Sequence, residues 1–182
     1  MTSEVTAPGV VTGAGVPRFE LAAHNCFGCG TLNANGLQVV HHIEPGRSWT
    51  ELTLDRRFEG WQGVIHGGIL CTILDEVMAW ALVGRDMWGL TARMSVEFKR
   101  PVEVGRRIRA IGEVSRARRR VVETTGQILD LDSGAILATA TGVYVAADET
   151  RRGKLREQYG FRLVDAPGGV DGPAPDPQGP NP

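Results

Sequence analysis

Residues Ile69–Val83, ILCTILDEVMAWALV, run fifteen positions without a glycine or proline. The segment is apolar on nearly every side, so it reads as a buried helix of about four turns. Gly84 ends it. Such a helix needs cover on most of its surface. Its centre carries two adjacent carboxylates, Asp75 and Glu76, flanked by Ile73, Leu74, Val77 and Met78. Charged groups are almost never buried unless paired or functional. Neighbouring helical positions point about 100° apart, so the two acids meet different surroundings. One can face an active cavity while the other pairs with a cation such as Arg93. The plain alternative is that both are structural ion pairs.

The cover is legible on either side of the helix. Gly36–Ile43 and Ser48–Leu54 alternate around the turn Glu44-Pro45-Gly46-Arg47 and read as a hairpin. After the helix the period changes to two. Leu90–Phe98, Arg107–Ser115, Arg119–Asp130 and Ala135–Ala146 follow, with Ser133-Gly134 as the last hairpin turn. Thr150–Tyr159 reads as a short terminal helix. Two strands, one long helix, then long antiparallel strands give an α+β fold, a curved sheet wrapped round a central helix. The cluster Arg116, Arg118, Arg119 and Arg120 reads as an exposed strand end rather than a phosphate site.

Residues 1–18 are small, glycine-rich and Pro-bounded and read as a flexible arm; 164–182 are almost entirely Pro, Gly, Asp and Ala and read as a disordered tail. One domain over 19–163 remains. Lys and Arg number 20 against 21 Asp and Glu. That balance argues against a general electrostatic role on nucleic acid or an anionic membrane. No apolar stretch approaches the roughly 18 residues of a membrane span, and no signal peptide is read. Three cysteines do not make a secreted disulfide framework, so the expected setting is cytoplasmic.

The junction Gly63-Val64-Ile65-His66-Gly67-Gly68 precedes the helix. Two glycines there admit a ligand close to the backbone. The first helical amides lack internal partners and carry the positive dipole end. Such a place stabilises an anion, including the oxyanion formed when a thioester or ester carbonyl is attacked. The plain alternative is a glycine-rich turn with a packed histidine. His66 and Asp75 are nine residues apart, about 13 Å along a helix and half a turn out of phase. They cannot reach one carbonyl from the same chain. If both are catalytic, two antiparallel helices from two subunits share the site, and a dimer follows.

His24-Asn25-Cys26-Phe27-Gly28-Cys29-Gly30 raises zinc or redox chemistry. No second Cys pair follows, and zinc would need His24 plus His41 or His42. The segment therefore reads as a lead-in packing over the sheet edge, with no metal and no cofactor.

HGGILCTILDEVMAWA, preceded by FEGWQGVI and followed by LTARMSVEFKRPVEVG, resembles the PaaI-type hotdog-fold acyl-CoA thioesterases. The lead-in CFGCGTLNANGL is similar to a segment of that group, and the resemblance covers about residues 24–146. It implies a hotdog fold and hydrolysis of an acyl-CoA to free acid and CoA without a metal. The acid nine positions after the His, here Asp75, would be general base or nucleophile. Gly67, with Gly68 close by, would polarise the thioester carbonyl, and His66 matches the family's His. Thr91 would help hold the water, with Ser95 a second candidate. Trp61, Gln62 and Glu76 are expected around the substrate. Several relatives carry Asn or Gln where this chain has Gly60, so the second carbonyl donor would fall to His66 or Gln62. The resemblance also implies a homodimer, with pairing into a homotetramer left open. The competing readings are a hotdog enoyl-thioester hydratase and a non-catalytic acyl-CoA binding protein.

Overall fold

The structure is a computed structural model and describes residues 5–7, 10–12 and 18–165. Short strands β1 (Val5–Ala7), β2 (Val10–Thr12) and β3 (Arg18–Glu20) come first. The hairpin β4 (His41–Glu44) and β5 (Arg47–Thr53) follows. The helix α1 spans Gly67–Val83. Strands β6 (Gly89–Phe98), β7 (Arg107–Arg118), β8 (Val121–Asp130) and β9 (Ile136–Ala146) complete the main sheet. Helix α2 (Glu149–Gln158) and β10 (Arg162–Asp165) close the described chain.

The main sheet has the order β1-β2-β4-β5-β7-β8-β9-β6. Its six long-range strands, from β4 to β6, pair antiparallel throughout. Helix α1 contacts all six. A flat sheet of six strands is about 24 Å wide, roughly twice a helix diameter. Touching every strand therefore requires the sheet to curl round the helix, as the all-round apolar sequence demands. Ile73, Leu74, Val77 and Met78 are fully buried in that curl.

A row of small residues lets the helix sit so deep. Ser48 pairs with Gly112, Gly112 with Gly126 and Gly126 with Ala140 across four adjacent strands. The Ser48 hydroxyl donates to the Val77 carbonyl at 2.7 Å. A Cβ on Gly112 would lie 2.3 Å from that same oxygen, and one on Gly126 would press on Leu74 and Met78.

Several expected bounds shift. The first hairpin strand begins at His41 rather than Gly36, because the preceding segment spends its amides on loop bonds such as Leu37 N–H to the Phe27 carbonyl. The span 1–18, read as an arm, contains β1, β2 and the first residue of β3. Their backbones find partners the local sequence does not announce: β2 runs parallel to β4, and β3 pairs with β10. Of the expected tail, residues 166–182 lie outside the described residues. The arginine cluster sits at an exposed β7–β8 turn, with Arg119 at φ 51°.

Gly112→Ala forces the β7 backbone off the helix. We expect a loss of about 1–3 kcal/mol in denaturant unfolding; an unchanged midpoint would show that the close approach is not needed.

Candidate active site

His66 caps α1: its backbone is extended, and its Nδ1 accepts the Gly68 amide at 2.9 Å. The Gly68 donor is thus already engaged. Gly67 is the first helical residue, so its N–H has no intrahelical acceptor. It opens onto a cleft of about 600 Å³ lined by Gly60, Trp61, His66, Phe98, Lys99 and Arg100 among others. Trp61 stands on the rim, 87% exposed; Gln62 beside it is exposed as well. The loop is pinned from three sides. His66 N–H bonds the Phe58 carbonyl, Ile65 N–H the Val102 carbonyl and Gly60 N–H the Val64 carbonyl.

The glycine at position 60 now has a physical account. A Cβ there would lie 3.0 Å from His66 Cα and 3.1 Å from its ring. A side chain at this position would require His66 to give by a few tenths of an ångström.

Nine residues along the helix, half-buried Asp75 receives two hydroxyls on one oxygen. Thr91 Oγ1 donates to Oδ1 at 2.7 Å and Tyr144 OH donates to the same atom at 2.8 Å. Thr91 and Tyr144 are directly opposed across the β6–β9 ladder, so one register places both donors. Tyr144 is fully buried. Burial, reinforced by the charge of Asp75, pushes its phenol well above the ordinary value, so it stays a donor. Among the described residues no bond to Asp75 Oδ2 is found. Ser95 lies further along β6, exposed.

Glu76 engages a separate set. Its Oε2 accepts from Trp80 Nε1 at 3.2 Å and lies 3.3 Å from His41 Nε2. Its Oε1 accepts from Cys26 Sγ at 3.4 Å. Burial alone would raise this carboxyl; the His41 and cysteine contacts outweigh it and hold the group below its usual range. The expected cation partner Arg93 is not used: it lies exposed on β6. Glu76 also lines none of the cleft at Gly67. Cys26 is lowered to about 7, chiefly by its hydrogen bond with Cys29.

Sequence reading missed Tyr144. A lone tyrosine on the inward face of an alternating strand reads as core, and only the pairing with Thr91 reveals its second job.

The family described as Thioesterase superfamily matches residues 62–136, from Gln62 through α1 to the start of β9. That stretch is similar to the thioesterase superfamily, and the architecture is the hotdog fold. The chain is similar to a thioesterase superfamily protein of known crystal structure at 26% identity, TM-score 0.56, covering 60% of this chain and 54% of that one. The match thus spans about half of that protein's length. It is similar to the E. coli PaaI protein from the phenylacetic acid degradation operon at 18% identity, TM-score 0.54, covering 56% and 77%. A hypothetical thioesterase from Streptococcus pneumoniae, solved with coenzyme A, aligns at 17% identity and TM-score 0.55, covering 57% and 83%. Among curated proteins none matches the sequence. No helix among the described residues is long and apolar enough to cross a membrane.

His66 anchors the start of α1, so His66→Ala should lower stability by about 0.5–2 kcal/mol and His66→Asn should restore most of it. Thermal melts of the two variants check this; equal loss in both would show that the cap is not the cause.

Proposed function

We propose that this protein is an acyl-CoA thioesterase whose active site is shared between two protomers. The observation that carries the reading is Asp75, held through Oδ1 by Thr91 and Tyr144 and left with Oδ2 to work on a water. Oδ2 takes a proton from that water as it attacks the thioester carbonyl. The Gly67 amide at the start of a partner helix receives the developing oxyanion. As the C–S bond breaks Asp75 passes that proton to the sulfur, so CoA leaves as the thiol and the acyl group, carrying the water's oxygen, leaves as the free acid. Lys99 and Arg100, on the same cleft as Gly67, suit the phosphates of CoA. The S. pneumoniae thioesterase supports the pairing of acid and hydroxyl. It has been crystallised as alanine variants of an aspartate and a threonine sixteen residues apart, the separation of Asp75 and Thr91 here.

The free edge of β6 supports the shared site. This strand ends the sheet order, and an unpaired ten-residue edge is a template for another strand. One end of β6 meets Asp75 through Thr91; the other meets Gly67 through Phe98, whose ring would touch a Cβ there at 3.4 Å. Two copies pairing antiparallel about the middle of β6 bring the first end of one beside the second end of the other. In that arrangement Asp75 of one copy comes to the Gly67 turn of the other, which its own helix keeps about 12 Å away along the axis.

A thiol-release assay over short, long and aromatic acyl-CoAs tests the reading. Saturated substrates should release thiol, whereas a hydratase or a binding protein would release none. Asp75→Asn should lower turnover by about 10²–10⁴-fold, and Thr91→Ala or Tyr144→Phe by about 10–100-fold. Gly67→Pro removes the amide at a helical position that tolerates proline and should lower turnover by about 10²–10³-fold. Mixing Asp75→Asn with Gly67→Pro protomers should restore about a quarter of the wild-type rate, because half of the random dimers are mixed and each holds one intact site. No recovery on mixing would sink the shared site.

A further inference from the structure

The histidine- and cysteine-bearing lead-in is not used by the hydrolysis described above, yet it packs its sulfurs against the second helical carboxylate. Cys26 Sγ, Cys29 Sγ and a Glu76 carboxylate oxygen all lie within 4.8 Å of one another. Cys26 Sγ stands 3.4 Å from Glu76 Oε1, and His24 Nε2 stands 3.7 Å from Cys29 Sγ, outside that mutual group of three. Ligand atoms round a tetrahedral zinc ion, at about 2.0–2.3 Å from the metal, are roughly 3.3–3.8 Å apart. We propose that Cys26, Cys29 and Glu76, with His24 as the fourth ligand, bind a thiophilic divalent cation of the zinc class.

Three further features suit a metal site. First, the loop is built around the ligands. A Cβ on Gly28 would lie 2.3 Å from Glu76 Cδ, and one on Gly30 would lie 2.4 Å from the Cys26 nitrogen and the His24 carbonyl oxygen. The Gly30 amide closes the turn on the Cys26 carbonyl at 3.0 Å. Glycine at both places lets a Cys-x-x-Cys turn fold tightly over a carboxylate. Second, the outer contacts sort the two carboxylate oxygens. Trp80 and fully buried His41 attend Oε2, which leaves Oε1 on the sulfur side. Ligating carboxylates are held in this way by their surroundings. Third, a crevice of about 190 Å³ lined by His24, Cys26, Cys29, Glu76, Trp88 and Leu90, among others, gives an ion a path from solvent.

On binding, each thiol gives its proton to the buffer and its sulfur lone pair to the cation, with no change in oxidation state. With His24 swung in as the fourth ligand no position stays open, which makes the proposed site a structural one. It clamps the lead-in to α1 one residue beyond Asp75. The sequence alone offered too few ligands because the carboxylate arrives from fifty residues further on.

The test uses the full chain, without a histidine tag, reduced and loaded with zinc or cobalt(II) before gel filtration. We expect one metal per chain by elemental analysis. The cobalt form should show a thiolate charge-transfer band and the intense visible bands of tetrahedral coordination. A thiol reagent under native conditions should find only Cys71 in the zinc form, and all three cysteines after chelation. Cys26→Ser and Cys29→Ser should each abolish retention, and Glu76→Gln should weaken it by about 10–100-fold, while Cys71→Ser retains the metal. The wild-type cobalt spectrum and thiol count need no variant to fold. The proposal fails if the reduced wild-type chain retains no metal, or if its cobalt spectrum lacks the thiolate band. It fails equally if Cys26 and Cys29 take up only a disulfide, or if retention survives loss of either cysteine. None of these readouts depends on thioesterase activity.

Discussion

The depth at which α1 sits in the sheet governs everything else. It is set where Ser48 and Gly112 meet the Val77 carbonyl, one donating a hydrogen bond and the other offering no side chain at all. A buried helical carbonyl already serves the helix ladder; a second donor from the sheet fixes how far the helix is inserted and how it is rotated. With rotation fixed at Val77, Asp75 must meet the β6–β9 side and Glu76 must meet the lead-in. The neighbouring glycine at 126 extends the same shallow floor under Leu74 and Met78. Depth and rotation are therefore one constraint.

That constraint explains how two adjacent carboxylates survive in so apolar a helix. Neither is a stray charge, and neither helps the other. Asp75 is satisfied by two hydroxyls from cross-strand partners. Glu76 is satisfied by an indole, an imidazole and a thiol. Neutral donors orient a carboxylate without neutralising it, which suits the role proposed for Asp75. The packing round Glu76 is tighter and its partners include titratable and sulfur groups, which suits a fixed structural role. The pair thus gives the helix two polar sides with different partners, hydroxyls at Asp75 and ring and sulfur groups at Glu76.

The helix and its change of period to strands were readable directly. An unbroken apolar segment has few folded options, and the later strands alternate cleanly. The acids were readable as special because charge in such a segment demands a reason. Their partners were not. Arg93 was the natural candidate by charge, yet strand pairing puts it on the outer surface and brings His41 from the first hairpin instead. Gly60 was legible as a departure, but its cause, contact with the His66 ring, exists only once the loop is folded. The strands within 1–18 were illegible for a related reason: their pairing with β4 and β10 is a matter of backbone, not of side-chain pattern.

Helical phase carries the argument from fold to assembly. Nine residues put His66 and Asp75 on opposite sides of α1, and the Gly67 amide lies about 12 Å along the axis from Asp75, so on the proposed mechanism a single copy holds the oxyanion-binding turn at one place and the carboxylate at another. Longer loops or side-chain rotation cannot bridge that gap, because both groups belong to one rigid rod held by six strands. On the proposed mechanism a second rod closes it. The edge strand β6 runs from the carboxylate end to the turn end, so a symmetric partner laid along it exchanges the two ends. Fold, edge and phase thus point to the same shared crevice.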